Sequence, residues 1–133
     1  MAVQLSVAVR NARLDAIETT IGATAVLKIR SGSVPADCAT ADAGTVLATL
    51  TLPADWMAAA SSGSKAKSGT WQDTSADATG TAAHFRIYDS GGTVCGLQGT
   101  VGVGTGDLQV DSTSFTSGQS FTVTGFTITD ANA

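Results

Sequence analysis

The chain predicts a mainly all-β fold: an antiparallel β-sandwich or jelly roll of about eight strands, preceded by one N-terminal α-helix. Three observations carry this. Apolar residues recur at helical spacing only up to residue 21, and at every second position in most runs after it. Glycine supplies 15 of the 133 residues and gathers with Ser, Thr and Asp at the breaks between the alternating runs. Charged residues make up 14% and aromatics 5%, so hydroxyl groups, not ions, must cover much of the surface.

The helix is expected over residues 7–21. Val3, Val7, Leu14, Ile17 and Ile21 recur at heptad-like spacing, interrupted by Arg10. Ser6 suits the N-cap and Gly22 the left-handed position that ends a helix. The chain therefore divides into 1–22, an amphipathic helix, and 23–133, a single sandwich domain. Leu14, Ile17 and Ile21 need cover, either from their own sandwich or from a neighbouring subunit, and they open the list of candidate interaction residues.

The strands follow in order. In "ATAVLKIR", Ala25, Leu27 and Ile29 face inward, and Val26, Lys28 and Arg30 face outward. "TVLATLTL" turns Val46, Ala48, Leu50 and Leu52 inward. "AHFRIYDSGGTVCGLQGTV" reads as a hairpin, with Ala83, Phe85 and Ile87 inward and Cys95, Leu97 and Val101 returning on that face. His84, Arg86 and Tyr88 then point outward, and Lys28, Arg30 and Arg86 form an exposed basic stripe. "DLQVDS" and "SFTVTGFTITD" complete the set. In the last strand Phe121 and Val123 share one face while Phe126 and Ile128 share the other, so a β-bulge is expected at Gly125. Between residues 53 and 81, Trp56 and Trp71 are large anchors, and short strands are expected near Trp56 and over 65–71. Trp56, Trp71, His84, Arg86 and Tyr88 join the candidate interaction surface.

No motif for catalysis emerges. "GLQGTVGVGTGDL" resembles a phosphate-binding loop, but Asp107 stands where the third glycine of G-x-G-x-x-G belongs, and a strand pattern follows. Its glycines are expected to let strands turn corners. There is no G-K dipeptide for a P-loop and no G-x-S-x-G nucleophile elbow. His84, the sole histidine, is expected to have a structural or contact role. Asp73 and Asp77 lack the D-x-D-x-D pattern of a strong calcium loop. With two cysteines and one histidine, no four-ligand zinc site is available, so no metal or cofactor is expected.

Charge and hydropathy narrow the setting. The net charge of −4 argues against nucleic acid as a partner. All Lys and Arg lie within residues 10–86, leaving Asp89, Asp107, Asp111 and Asp130 as a mild acidic field. No apolar run is long enough to span a membrane, and "MAVQLSVAV" has no basic segment of the kind that opens a secretion signal. Synthesis in a reducing cytoplasm is expected, which favours separate thiols at Cys38 and Cys95 over a disulfide between them and leaves their redox state open.

The segments "SVAVRNARLDAI", "AVLKIRSG", "VLATLTLP", "TSADATGTAAHFRIYDSGGTV" and "GDLQVDSTSFTSGQSFTVTGFTITDA" resemble, in this order, a family of small tailed-phage and prophage virion proteins. The resemblance covers nearly the whole chain and is densest in "TSADATGTAAHFRIYDS". It departs from the pattern in "WMAAASSGSKAKSGTW" and at Cys95 and Gly96. What the resemblance implies is a jelly-roll capsid cement or decoration protein without catalytic residues. Such a protein is made in the bacterial host cytoplasm and sits on the capsid exterior. Its partners would be the major capsid protein and further copies of itself, as a dimer or trimer. The alternative expectation is a carbohydrate- or receptor-binding sandwich on a phage tail or virion surface. That reading requires exposed aromatic side chains lining a groove.

Overall fold

The computed structural model describes residues 3–130; Met1 and Ala2 of the expected helical segment, and residues 131–133, lie outside it. Among the described residues there is one helix, α1 (Val7–Ile21), and ten strands. The strands are β1 (Val26–Arg30), β2 (Val46–Thr51), β3 (Ser64–Ala66), β4 (Gln72–Asp73), β5 (Gly80–Thr81), β6 (His84–Tyr88), β7 (Cys95–Gly102), β8 (Leu108–Val110), β9 (Ser114–Phe115) and β10 (Phe121–Thr129). The main sheet runs β2-β1-β6-β7-β8-β10-β3, with β4 also on β10, and β5 and β9 form a separate pair. The fold is mainly β, as the alternation predicts, and its sheet curls around one core.

The helix has the expected ends. The Ser6 hydroxyl accepts from the Val9 N–H at 3.2 Å, and the Gly22 N–H returns to the Glu18 carbonyl at 2.9 Å. Its buried side differs from the heptad stripe. Leu14 is buried, Ile17 and Ile21 are half-buried, and Val3 and Val7 are exposed. A polar row does much of the docking. Asn11, Asp15 and Glu18 stand above one another at i, i+4 and i+7, and accept the backbone N–H groups of Gly63, Ala60 and Met57 at 2.9, 2.9 and 2.7 Å. Residues 57–63 therefore receive from the helix the hydrogen bonds that a neighbouring strand would otherwise supply.

The core forms where the period-2 faces meet. Ala25 just ahead of β1, Leu27 and Ile29 in β1, Ala48 and Leu50 from β2, and Phe85 and Ile87 from β6 are all buried, as their alternation predicts. Trp56, Trp71, Phe126 and Phe85 form a chain of ring contacts with centroids 6.1, 5.7 and 5.6 Å apart. Leu47, on the opposite face of β2, is also buried because residues 76–78 cover it; its carbonyl accepts the Asp77 N–H at 2.7 Å. The segment 57–72 pairs more sparsely than expected, through β3, the start of β4, and isolated bridges Met57–Lys67 and Ser61–Ser64.

The sheet is mixed rather than wholly antiparallel. β7 and β8 run parallel over Val101–Leu108 and Gly102–Gln109, joined by a short corner. The chain turns there through Gly104 and Gly106, both at positive φ (68° and 80°), so the glycine ladder builds a corner and not a phosphate cradle. The bulge expected at Gly125 is present, with the register against β8 shifting between Val123 and Gly125.

These glycines differ in what they would tolerate. A Cβ on Gly125 would meet only Gln109, no closer than 3.5 Å, whereas one on Gly99 would lie 2.9 Å from the Phe85 ring and 2.7 Å from the Asp107 carboxylate. Gly99→Ala is expected to cost about 1–3 kcal/mol by overpacking, and Gly125→Ala to stay within about 0.5 kcal/mol. Urea midpoints of the two purified variants check this; equal midpoints would refute the packing account.

Candidate functional site

The sequence-predicted surface residues divide between two places, and most of them are not on the surface. β6 is buried on both faces along its whole length. One face meets the core; the other lies under the connection between β1 and β2, residues 31–45. His84, Arg86 and Tyr88, expected to point outward, are therefore enclosed, as is Arg30 on β1. The predicted basic stripe does not exist as an exposed feature. The alternation was read correctly, but a loop with no periodicity of its own covers the second face.

Under that loop the polar groups match closely. The Arg86 guanidinium donates from Nε to Gln98 Oε1 at 3.0 Å, from Nη1 to Asp42 Oδ1 at 2.7 Å, and from Nη2 to the Asp37 and Thr40 carbonyls at 2.9 Å each. Asp42 also accepts from Arg30 Nη2 at 3.0 Å and from the Tyr88 hydroxyl at 2.7 Å. Gln98 donates to the Pro35 carbonyl at 2.7 Å, and His84 Nδ1 donates to the Gly32 carbonyl at 2.7 Å. Since Nδ1 faces a carbonyl it must carry a proton, and Nε2 is buried without a hydrogen-bond partner among the described residues. The Tyr88 hydroxyl first, then Arg86 and Arg30, hold the Asp42 carboxyl below the usual carboxylate range, against the opposing effect of burial. Burial and the Asp42 carboxylate push the Tyr88 phenol up.

A covalent bond holds the same loop. Cys38 and Cys95 form a disulfide, which overturns the expectation of separate thiols. The sequence places them 57 residues apart, and only the fold-back of residues 31–45 over β6 and β7 brings them together. A register shift between Ile87 and Tyr88 sets Cys95 opposite Tyr88, on the side of the sheet that the loop covers.

The remaining candidates lie along α1. Trp56 and Trp71 are wholly buried, with indole N–H groups donating to the Gly22 and Ser68 carbonyls at 3.0 and 3.1 Å. Leu14 is buried against its own domain. Lys65, which the sequence did not single out, is only 2% exposed. Its ammonium sits 2.7 Å from Asp15 and 3.3 Å from Glu18, and it donates to the Ala58 carbonyl at 2.9 Å. Burial alone would lower its pKa, but the two carboxylates reverse that and raise it, while Lys65 and the Ala60 N–H lower Asp15. Two Lys65 signals were visible in the sequence: Lys65 and Lys67 set in a Ser/Gly/Ala run, and two carboxylates three residues apart on the helix.

Ile17 and Ile21 line an open groove of about 620 Å³ between α1 and the β6–β7 hairpin, with Ala16, Val94 and Gly96. It adjoins a second space of about 370 Å³ between β7 and β10, which shares Ile17 and Gly96. Its lining offers no cluster of nucleophile and base. Asp73 and Asp77 are engaged separately, by the Ser75 N–H and the Thr49 hydroxyl at 2.9 and 2.8 Å. Among the described residues no group of three His, Cys, Asp or Glu is placed to hold a metal, and no helix is long and apolar enough to cross a membrane. Comparison with protein-family models, curated proteins and solved structures returned no match.

Closing a loop of 57 residues restricts the unfolded chain, so reduction, or Cys38→Ser, is expected to cost about 2–4 kcal/mol. Melting with and without a phosphine reductant measures it, and equal midpoints would refute a stabilising role. The pH dependence follows from the same network. Asp42 has a depressed folded pKa, so its contribution is full above about pH 4 and disappears as pH falls through the folded value. Tyr88 has a raised folded pKa, so its contribution is full below about pH 10 and disappears as pH rises through the folded value. Urea midpoints against pH should show a plateau between these limits, with Asp42→Asn shrinking the acid limb, to which Asp15, Asp37 and Asp89 also contribute.

Proposed function

We propose that the chain is a structural virion protein of a tailed bacteriophage, a capsid cement or decoration protein that binds the outer surface of the major capsid shell and stabilises it. One observation carries the reading most: the groups that could do chemistry are spent inside the fold. Each of the seven Lys and Arg has a partner within the chain. What lies open is the apolar groove beside α1, on a surface made mostly of hydroxyl and small side chains. Such a surface suits permanent contact, because few charges must be desolvated when it is covered.

Two further points favour the capsid exterior. The resemblance to phage cement proteins spans nearly the whole chain. A disulfide suits a particle surface that meets an oxidising medium on release, after synthesis in the host cytoplasm. The carbohydrate-binding alternative needs exposed rings to stack on sugars, yet all seven aromatic residues are buried.

The test is reconstitution. Purified protein added to capsids that lack it should sediment with the shells and raise the temperature at which they release their contents. Density should appear over junctions between capsid subunits by cryo-electron microscopy. Protein left in the supernatant, or density on the tail fibres, would overturn the reading.

A further inference from the structure

The main sheet has a split in it. β7 pairs with β6 along Cys95–Thr100 but with β8 only at Val101 and Gly102, so residues 95–100 have no strand on their second side. β10 pairs with β8 only up to Phe126, while its last three residues pair on the other side with β3. These two edges face each other across the space of about 370 Å³, whose walls include Leu97, Gln98, Thr127 and Ile128. Backbone directions follow from the bonds beside it. Thr100 directs its N–H and C=O to Asp107, on the β8 side, so Gln98, two residues earlier, directs its own into the split. The Phe126 carbonyl and Asp130 N–H bond toward the β3 side, so those of Thr127 and Thr129 also face the split. Phe85, Leu97, Phe126 and Ile17 supply apolar surroundings.

The same chain carries a segment of the right kind. Ahead of α1, "MAVQLS" alternates Met1, Val3 and Leu5 with Ala2, Gln4 and Ser6, and has no charged residue. Within these six residues the spacing also fits a strand. Residues 3–5 take part in no helix or strand of their own domain and Ser6 only caps α1; Val3 is 78% exposed and Leu5 half-buried. Arg10 and Arg13 reach Asp130 from the first turns of α1, so the segment leaves the domain near the Thr129 end of the split. We propose that residues 1–6 of one copy dock as a β-strand in the split between β7 and β10 of a second copy, so that copies associate by exchanging these arms. The inserted strand would satisfy amides on both edges, and Val3 and Leu5 would cover the apolar floor.

The experiment uses the full chain alone, so its failure would leave the capsid reading untouched. Sedimentation equilibrium compares the native protein with Val3→Asp and with Val3→Asp/Leu5→Asp. The native chain should self-associate, and both variants should shift to monomer with unchanged circular dichroism. Hydrogen exchange at the Gln98, Thr127 and Thr129 amides should be slowed about tenfold or more in the native assembly relative to the variants. A native chain that stays monomeric overturns the proposal, including one with slow amides from an arm folded into its own split. So do variants that remain associated, and an assembly whose three amides exchange as fast as in the monomer, since it must use another face.

Discussion

A guanidinium taken out of water on the outer face of an interior strand, β6, must be matched donor by donor, and that requirement organises half of this molecule. Arg86 is 2% exposed, and an unmatched buried cation of this kind costs several kcal/mol. β6 itself cannot supply the acceptors, because its carbonyls are committed to β1 and β7. They come from the long β1–β2 connection, which gives two backbone carbonyls and the Asp42 carboxylate, and from Gln98 on β7. Each of these acceptors fixes one point of a segment without secondary structure, so the loop has a shape because the arginine needs one. The disulfide then ties the loop to β7. Ion pair and covalent bond act on the same segment, one by filling donors in the folded state and the other by limiting the unfolded one.

Lys65 repeats the logic at the other end of the sheet. Its two carboxylates come from one helix face, and that face also caps the backbone N–H groups of residues 57–63. Removing the helix would leave a buried ammonium without its two carboxylates and three backbone donors without partners. α1 is therefore part of its own domain's polar core, even though two of the five residues that suggested amphipathicity, Val3 and Val7, are exposed. A helix held this way needs little apolar area on its docking face. That leaves Ile17 and Ile21 half-covered at the rim of a groove.

What could be read from the sequence depended on whether the deciding signal was local. The helix ends were legible because Ser6 and Gly22 act within one turn. The β6–β7 hairpin was legible from its turn, and the Gly125 bulge from a change of phase inside one strand. The burial of His84, Arg86 and Tyr88 was not, because the covering segment is aperiodic and is specified by acceptors far away in sequence. The disulfide was missed for the same reason, since nothing near Cys38 or Cys95 indicates the fold-back. The parallel step from β7 to β8 escaped because five residues are fewer than a parallel connection ordinarily needs. The candidate site followed the same rule. Trp56 and Trp71 were identified as anchors, but whether an anchor faces a partner or the core is decided by the whole sheet.

This division has a consequence for how such a surface works. Charges used for internal matching cannot steer a partner from a distance, and the low share of ionic residues leaves little field to do so. Recognition of a capsid, as proposed, would then rest on short-range shape and on backbone hydrogen bonding, which need close contact before they contribute. Such contacts form slowly and, once water is excluded, also break slowly, since most differences in affinity appear in dissociation. In the proposed capsid role, a chain built this way would give up rapid, reversible encounter in favour of persistence. The geometry fits that emphasis: the disulfide holds the loop over one face of β7, and the same strand leaves residues 95–100 without a strand neighbour on one side.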